Sequence, residues 1–333
     1  MVKVLITSFL ITLNIFCEAQ KIKILTTHNK ISLRGLSVVN DKVLWVSGSK
    51  GTVGLSLNGG DTFKWVTVKG FDSTDFRDIE AFSSTEAIIM GIGEPAYILK
   101  TKDAGESWKI VYENKSKGIF LDAMEFWNPQ SGIVIGDPID GKFVFARTFD
   151  EGNTWQNLPS KNLPIAATGE ACFASSGTNI RSYGKDQAIF VSGGLQSHIF
   201  IKDAIIKLPI IQGTESTGAN SIAINKNKRN IIIVGGDFNA KNDTTNNCVL
   251  SSNGCKTFTK PAVPPNGYRS CVEYYGKSNA ITCGLNGVDI TNNNGTDWTN
   301  ISTESFHVCR KAKDGKKVYL AGGGGKVGVF INN

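Results

Sequence analysis

Eight side chains stand out as able to do chemistry: Arg34, Arg77, Asp78, Asp122, Glu170, Tyr268, Arg269 and His307. Arginines mixed with carboxylates suit recognition of another molecule's acids and amides, because a guanidinium fork donates two parallel hydrogen bonds. The same side chains could instead pair with one another, since a buried charge needs a partner in either case. Asp78, Asp122 and Glu170 would also be enough for glycoside chemistry, which needs two carboxyl groups flanking one bond. Other chemistries find less support. Gly323 to Gly328 matches G-x-G-x-x-G, but no helical pattern follows, and a dinucleotide site needs strand, turn and helix. His28, His198 and His307 lie far apart, and no Cys/His spacing suits zinc. Ser175-Ser176-Gly177 lacks the nucleophile-elbow pattern. No metal and no cofactor are expected.

The elements that must position these residues announce themselves as a repeat. Ser56-Leu57-Asn58-Gly59-Gly60-Asp61-Thr62-Phe63 returns as Thr101 to Trp108, around Asp103, and as Thr148 to Trp155, around Asp150. Later copies are Ser251 to Phe258, around Asn253, and Thr291 to Trp298, around Asn293. A worn copy is read at Ile201-Lys202-Asp203-Ala204-Ile205. Asp or Asn and the hydroxyl residue can cap backbone N–H groups inside a tight turn. The glycine supplies positive φ, and the closing aromatic can bury itself between neighbouring sheets.

Starts at 56, 101, 148, 201, 251 and 291 give steps of 45, 47, 53, 50 and 40 residues. That period fits one four-stranded propeller blade. Apolar or alternating runs between the turns, such as Val43–Val46, Ile133–Ile135 and Val318–Leu320, read as strands. Gly325 to Val329 echoes Gly51 to Leu55, so a seventh unit begins near the C-terminus, while residues 21–27 form a lone strand before the first. The spacing therefore predicts an all-β, seven-bladed propeller over residues 21–333. The N-terminal strand completes the last blade and removes an exposed edge. Alignment of the units brings the eight residues, with Asn220, near the starts of the innermost strands. The loops around Glu94, Asp137 and Asp237-Phe238 fall on the same rim.

Residues 1–20 have a basic start, an apolar stretch from Val4 to Phe16, and small residues before Gln20, the pattern of an export signal cleaved near Ala19-Gln20. The expected product is secreted or periplasmic and monomeric, with no integral membrane segment once the signal is removed. The net charge of +7 comes from scattered lysines without a basic stripe, so no nucleic-acid partner is expected. Six cysteines follow the signal. Cys271 and Cys283 could meet across a hairpin, and Cys248 and Cys255 flank another turn, yet reduced cysteines also pack as small hydrophobes.

The boxes and the phrases Asp75-Phe76-Arg77-Asp78, Leu121-Asp122-Ala123, Gly136-Asp137-Pro138, Gly169-Glu170-Ala171-Cys172 and Gly267-Tyr268-Arg269 mark a family resemblance. The chain resembles BNR/Asp-box repeat propellers and is similar to bacterial photosystem II stability/assembly factor-like proteins. That resemblance implies a non-enzymatic WD40/YVTN-like propeller that binds a protein client. The alternative is a carbohydrate-active, sialidase-like propeller with a glycan ligand. In the first reading the eight residues form a binding funnel. Asn58, Asp103, Trp108, Asp150, Trp155, Asn253, Asn293 and Trp298 are structural parts of the turns.

Overall fold

The computed structural model describes residues 20–332 apart from Asn29. The expected export signal lies outside the described residues, save Gln20. The described residues form seven antiparallel β-sheets arranged as the blades of a propeller, with one short 3-10 turn at Ser160–Asn162. Blades I to III begin with the inner strands Leu33–Val38, Phe76–Ala81 and Leu121–Asn128. Blades IV to VII begin with Ile180–Gly184, Thr217–Ile224, Cys271–Tyr274 and Val308–Lys311. In blade VII the outer strand is Lys21–Thr26, paired antiparallel with Val327–Ile331, and Lys21 faces Ile331. The ring thus closes through both ends of the chain, as the lone N-terminal strand foretold.

Five of the turns have one geometry because their side chains bond their own backbone. Ser56 Oγ accepts from Gly60 N at 2.9 Å, and Asn58 Oδ1 accepts from Thr62 N at 3.0 Å. Thr101 with Asp103 and Thr148 with Asp150 repeat the pair, as do Ser251 with Asn253 and Thr291 with Asn293. The fifth residue always has positive φ, even where Cys255 (φ 68°) replaces glycine. The worn copy is a correction: Ile201 and Ala204 are direct cross-strand partners, leaving Lys202-Asp203 as a two-residue turn. With no hydroxyl at position 201 and no glycine at 205, the wider loop has nothing to close it.

The apolar core lies between blades. One cluster joins Ile88, Met90 and Tyr112 of blade II to Val134, Ala146 and Trp155 of blade III. Another joins Val234 and Cys248 of blade V to Val272 and Trp298 of blade VI. Trp108 of blade II meets Trp45 of blade I edge-on, ring centroids 6.4 Å apart. The aromatic that ends each turn therefore seals a blade junction. The six cysteines among the described residues are free and buried. Cys271 and Cys283 are register partners, whereas Cys248 and Cys255 belong to different interblade clusters.

Candidate functional site

Because the inner strands run side by side around an axis, a residue near each strand's start projects toward one mouth of the central channel. Arg34 and Arg77 arrive there from blades I and II, Asn220 from blade V, and Tyr268 and His307 from the approaches to blades VI and VII. They enclose a cavity of about 250 Å3 whose remaining walls include Phe173, Phe238 and Leu285. Phe173 and Tyr268 both meet Phe238 edge-on, at 6.0 and 6.2 Å. The cavity is thus cationic on one side and aromatic on the other.

Arg34 donates to Ser175 O at 3.3 Å and, among the described residues, forms no ion pair. Its pKa is lowered, first by burial and then by the neighbouring Arg77 guanidinium. Arg77 pairs with Asp75 at 2.9 Å. Tyr268 donates its hydroxyl to Asn220 at 2.8 Å, and burial pushes its pKa up to about 12. Burial and the two arginines push His307 down to about 3, so at neutral pH it is an uncharged imidazole. Two crowded cations without a second carboxylate make this cavity receptive to an anion.

The cavity has a floor that sequence reasoning missed. Residues 172–179, on the way into blade IV, cross the channel as a strap. Ser175 Oγ bonds Asn220 of blade V at 3.1 Å, and Ser176 Oγ bonds Ser270 O of blade VI at 2.7 Å. Arg310 of blade VII donates to Gly177 O at 3.2 Å. Gly177 sits at φ 63°, where a Cβ would lie 2.3 Å from the Asp78 carboxyl carbon. Gly177→Ala is therefore expected to lower stability by more than the roughly 1–2 kcal/mol of a left-handed alanine, as thermal unfolding would show. The one available signal was the step of 53 residues between the starts at 148 and 201, the longest in the chain.

The other expected site residues lie elsewhere. Asp78 is fully buried under the strap, accepting from Ile79 N and Met124 N at 2.8 and 2.7 Å; burial raises its pKa to about 7. Asp122 is also fully buried, facing the Asp137 carboxyl. Burial first, then Asp137, drives its pKa well upward. Asp137, which accepts from Cys172 N at 2.8 Å, is raised by burial to about 6. Glu170 is paired with His198 at 2.9 Å and with Ser192, beside a different groove that includes Asp137 and Glu215. Asp78, Asp122 and Glu170 do not line the arginine cavity. Arg269 is fully buried against Asp289, with Nε to Oδ2 at 2.6 Å.

Beneath the strap, the opposite mouth is lined by Glu125, Arg181, Ala223, Glu273 and Arg310, from the inner strands of blades III to VII. Arg181 lies 3.8 Å from Glu125 and 3.4 Å from Glu273, and Arg310 lies 4.0 Å from Glu273. Lys313 pairs with Glu80. The channel is therefore divided into two cavities of different electrostatic character.

No protein-family model matches the chain, and no curated protein does. Solved structures do. One described as YCF48 bound to D1 peptide superposes with a TM-score of 0.65 at 14% identity, covering 96% of this chain and 97% of the other. YCF48 from Cyanidioschyzon merolae gives 0.63 at 14% identity, covering 93% and 98%. The WD40 propeller domain of Doa1 gives 0.62 at 13% identity, covering 95% and 98%. At these identities the likeness is one of architecture: the chain has the propeller fold shared by YCF48 and the WD40 proteins.

Proposed function

We propose that this chain is a non-catalytic, protein-binding propeller that holds a carboxylate of its client between Arg34 and Arg77. The observation that carries the reading is the Arg34 guanidinium, crowded by a second cation, facing the cavity and lacking an ion-pair partner among the described residues. A client carboxylate would relieve that repulsion, and Phe173, Phe238 and Leu285 would take an apolar group beside it. The peptide bound to the structurally similar YCF48 supports a proteinaceous ligand. The reading includes BNR-type turns as scaffold and export through residues 1–20, the latter checked by N-terminal sequencing of the mature protein.

Affinity capture from the native envelope tests the binding, comparing wild type with Arg34→Met. At least a tenfold loss of a specific retained protein is expected, with a thermal midpoint within a few degrees of wild type. Equal retention by both proteins, or no specific protein with either, would overturn the reading.

A further inference from the structure

The cavity at the opposite mouth has a balanced lining that neither a simple anion nor a simple cation satisfies. Arg181 and Arg310 bring two positive charges, Glu125 and Glu273 two negative ones, into about 280 Å3. All four side chains are at least three-quarters buried. Their mutual distances of 3.4 to 4.0 Å exceed the roughly 2.7–2.9 Å of a charge-assisted hydrogen bond. Arg310 donates to Gly177 O at 3.2 Å, and Arg181 donates at longer range to Glu273 Oε2 at 3.4 Å and to Ile180 O at 3.5 Å, so each guanidinium fork, with five N–H donors, has donors to spare. Glu125 accepts from Ser182 N and keeps a second oxygen for another donor. Blade V contributes Ala223 and Ile224 to this wall and no charged side chain, which leaves room where its neighbours carry long charged ones.

A group that completes this arrangement must accept from the arginines and donate to the glutamates within a few ångströms. A lone carboxylate would meet the two glutamates; a lone ammonium would meet the two guanidinium groups. The volume lies just below the range of roughly 300–1,000 Å3 usual for drug-sized ligands, so the molecule must be small. We propose that this cavity binds a small zwitterion of the α-amino-acid class, its carboxylate between Arg181 and Arg310 and its ammonium against Glu125 and Glu273. The site is separated from the arginine cavity by the strap, and the proposal does not depend on the client-binding reading.

Titration calorimetry on the whole chain tests it with glycine, alanine and serine, and with acetate and methylammonium as single-charge probes. Binding by at least one amino acid, at least tenfold tighter than either probe, is expected. Glu125→Gln keeps the acceptor for Ser182 N and should weaken that binding tenfold or more. Should this variant fail to fold, Ala223→Val narrows the cavity without touching a charge and should give the same loss. No heat from any amino acid, acetate binding as tightly, or wild-type affinity in a folded variant would each overturn the proposal.

Discussion

Arg269→Ala is expected to destabilise the propeller by about 3–5 kcal/mol, the usual consequence of stripping one partner from a buried ion pair. Arg269 has no exposed surface, and it also donates to Tyr268 O and Asn286 Oδ1. Its loss would leave the Asp289 carboxylate buried, with only Asn266 N and the Asn300 amide to satisfy it. The contrast that proves the cause is a double variant. Arg269→Met with Asp289→Leu removes both charges and should recover most of the loss in denaturant unfolding. A single variant as stable as wild type would show that the pair is not what ties these strands together. Any loss of binding on changing Arg269 would report this tie rather than the arginine cavity.

Asp78→Asn should change the sign of its effect with pH. Asp78 has its pKa raised from 3.8 to about 7, first by burial, against the opposing pull of Arg310 and two backbone N–H groups. A raised folded-state pKa means that the native chain holds a proton which the unfolded chain releases near pH 4. The contribution is fully present below pH 3.8 and is lost as pH rises through 7. Three units correspond to about 4 kcal/mol between those limits. Asparagine does not titrate, but its single oxygen leaves either Ile79 N or Met124 N unsatisfied, at a cost of about 1–3 kcal/mol. The variant should therefore be less stable than wild type at pH 4 and more stable at pH 8. A stability difference that stays constant across that range would mean that Asp78 is already ionised at pH 4.

How much of this was legible in the sequence follows from how local each determinant is. The five turns were readable because Asn58, Asp103, Asp150, Asn253 and Asn293 bond backbone four residues away, so type and spacing suffice. Ring closure was readable because a lone strand and an unfinished unit need each other. The channel mouth was half readable. Arg34, Arg77, Tyr268 and His307 share a cavity as their aligned positions implied, while Arg269, one residue from Tyr268, points to Asp289 instead. That difference depends on which strand lies opposite, a matter of three-dimensional register with no trace in local spacing. Glu170 is drawn aside by His198, 28 residues onward, and the strap has no repeat of its own to betray it.

The pairing of Lys21–Thr26 with Val327–Ile331 also fixes an order of events in time. Strand partners at residues 21 and 331 have the whole of the rest of the propeller between them, so the first of its strands to be made is the last to find its neighbour. Each doubling of the intervening loop adds only about 0.6 kcal/mol of closure entropy, so the equilibrium suffers little. The rate suffers more, because pairings so distant in sequence are the slow ones. Until they meet, the apolar edge of blade VII stays open to other chains. The hazard for this protein is therefore greatest in the interval between synthesis of the Val327–Ile331 strand and the shutting of the ring.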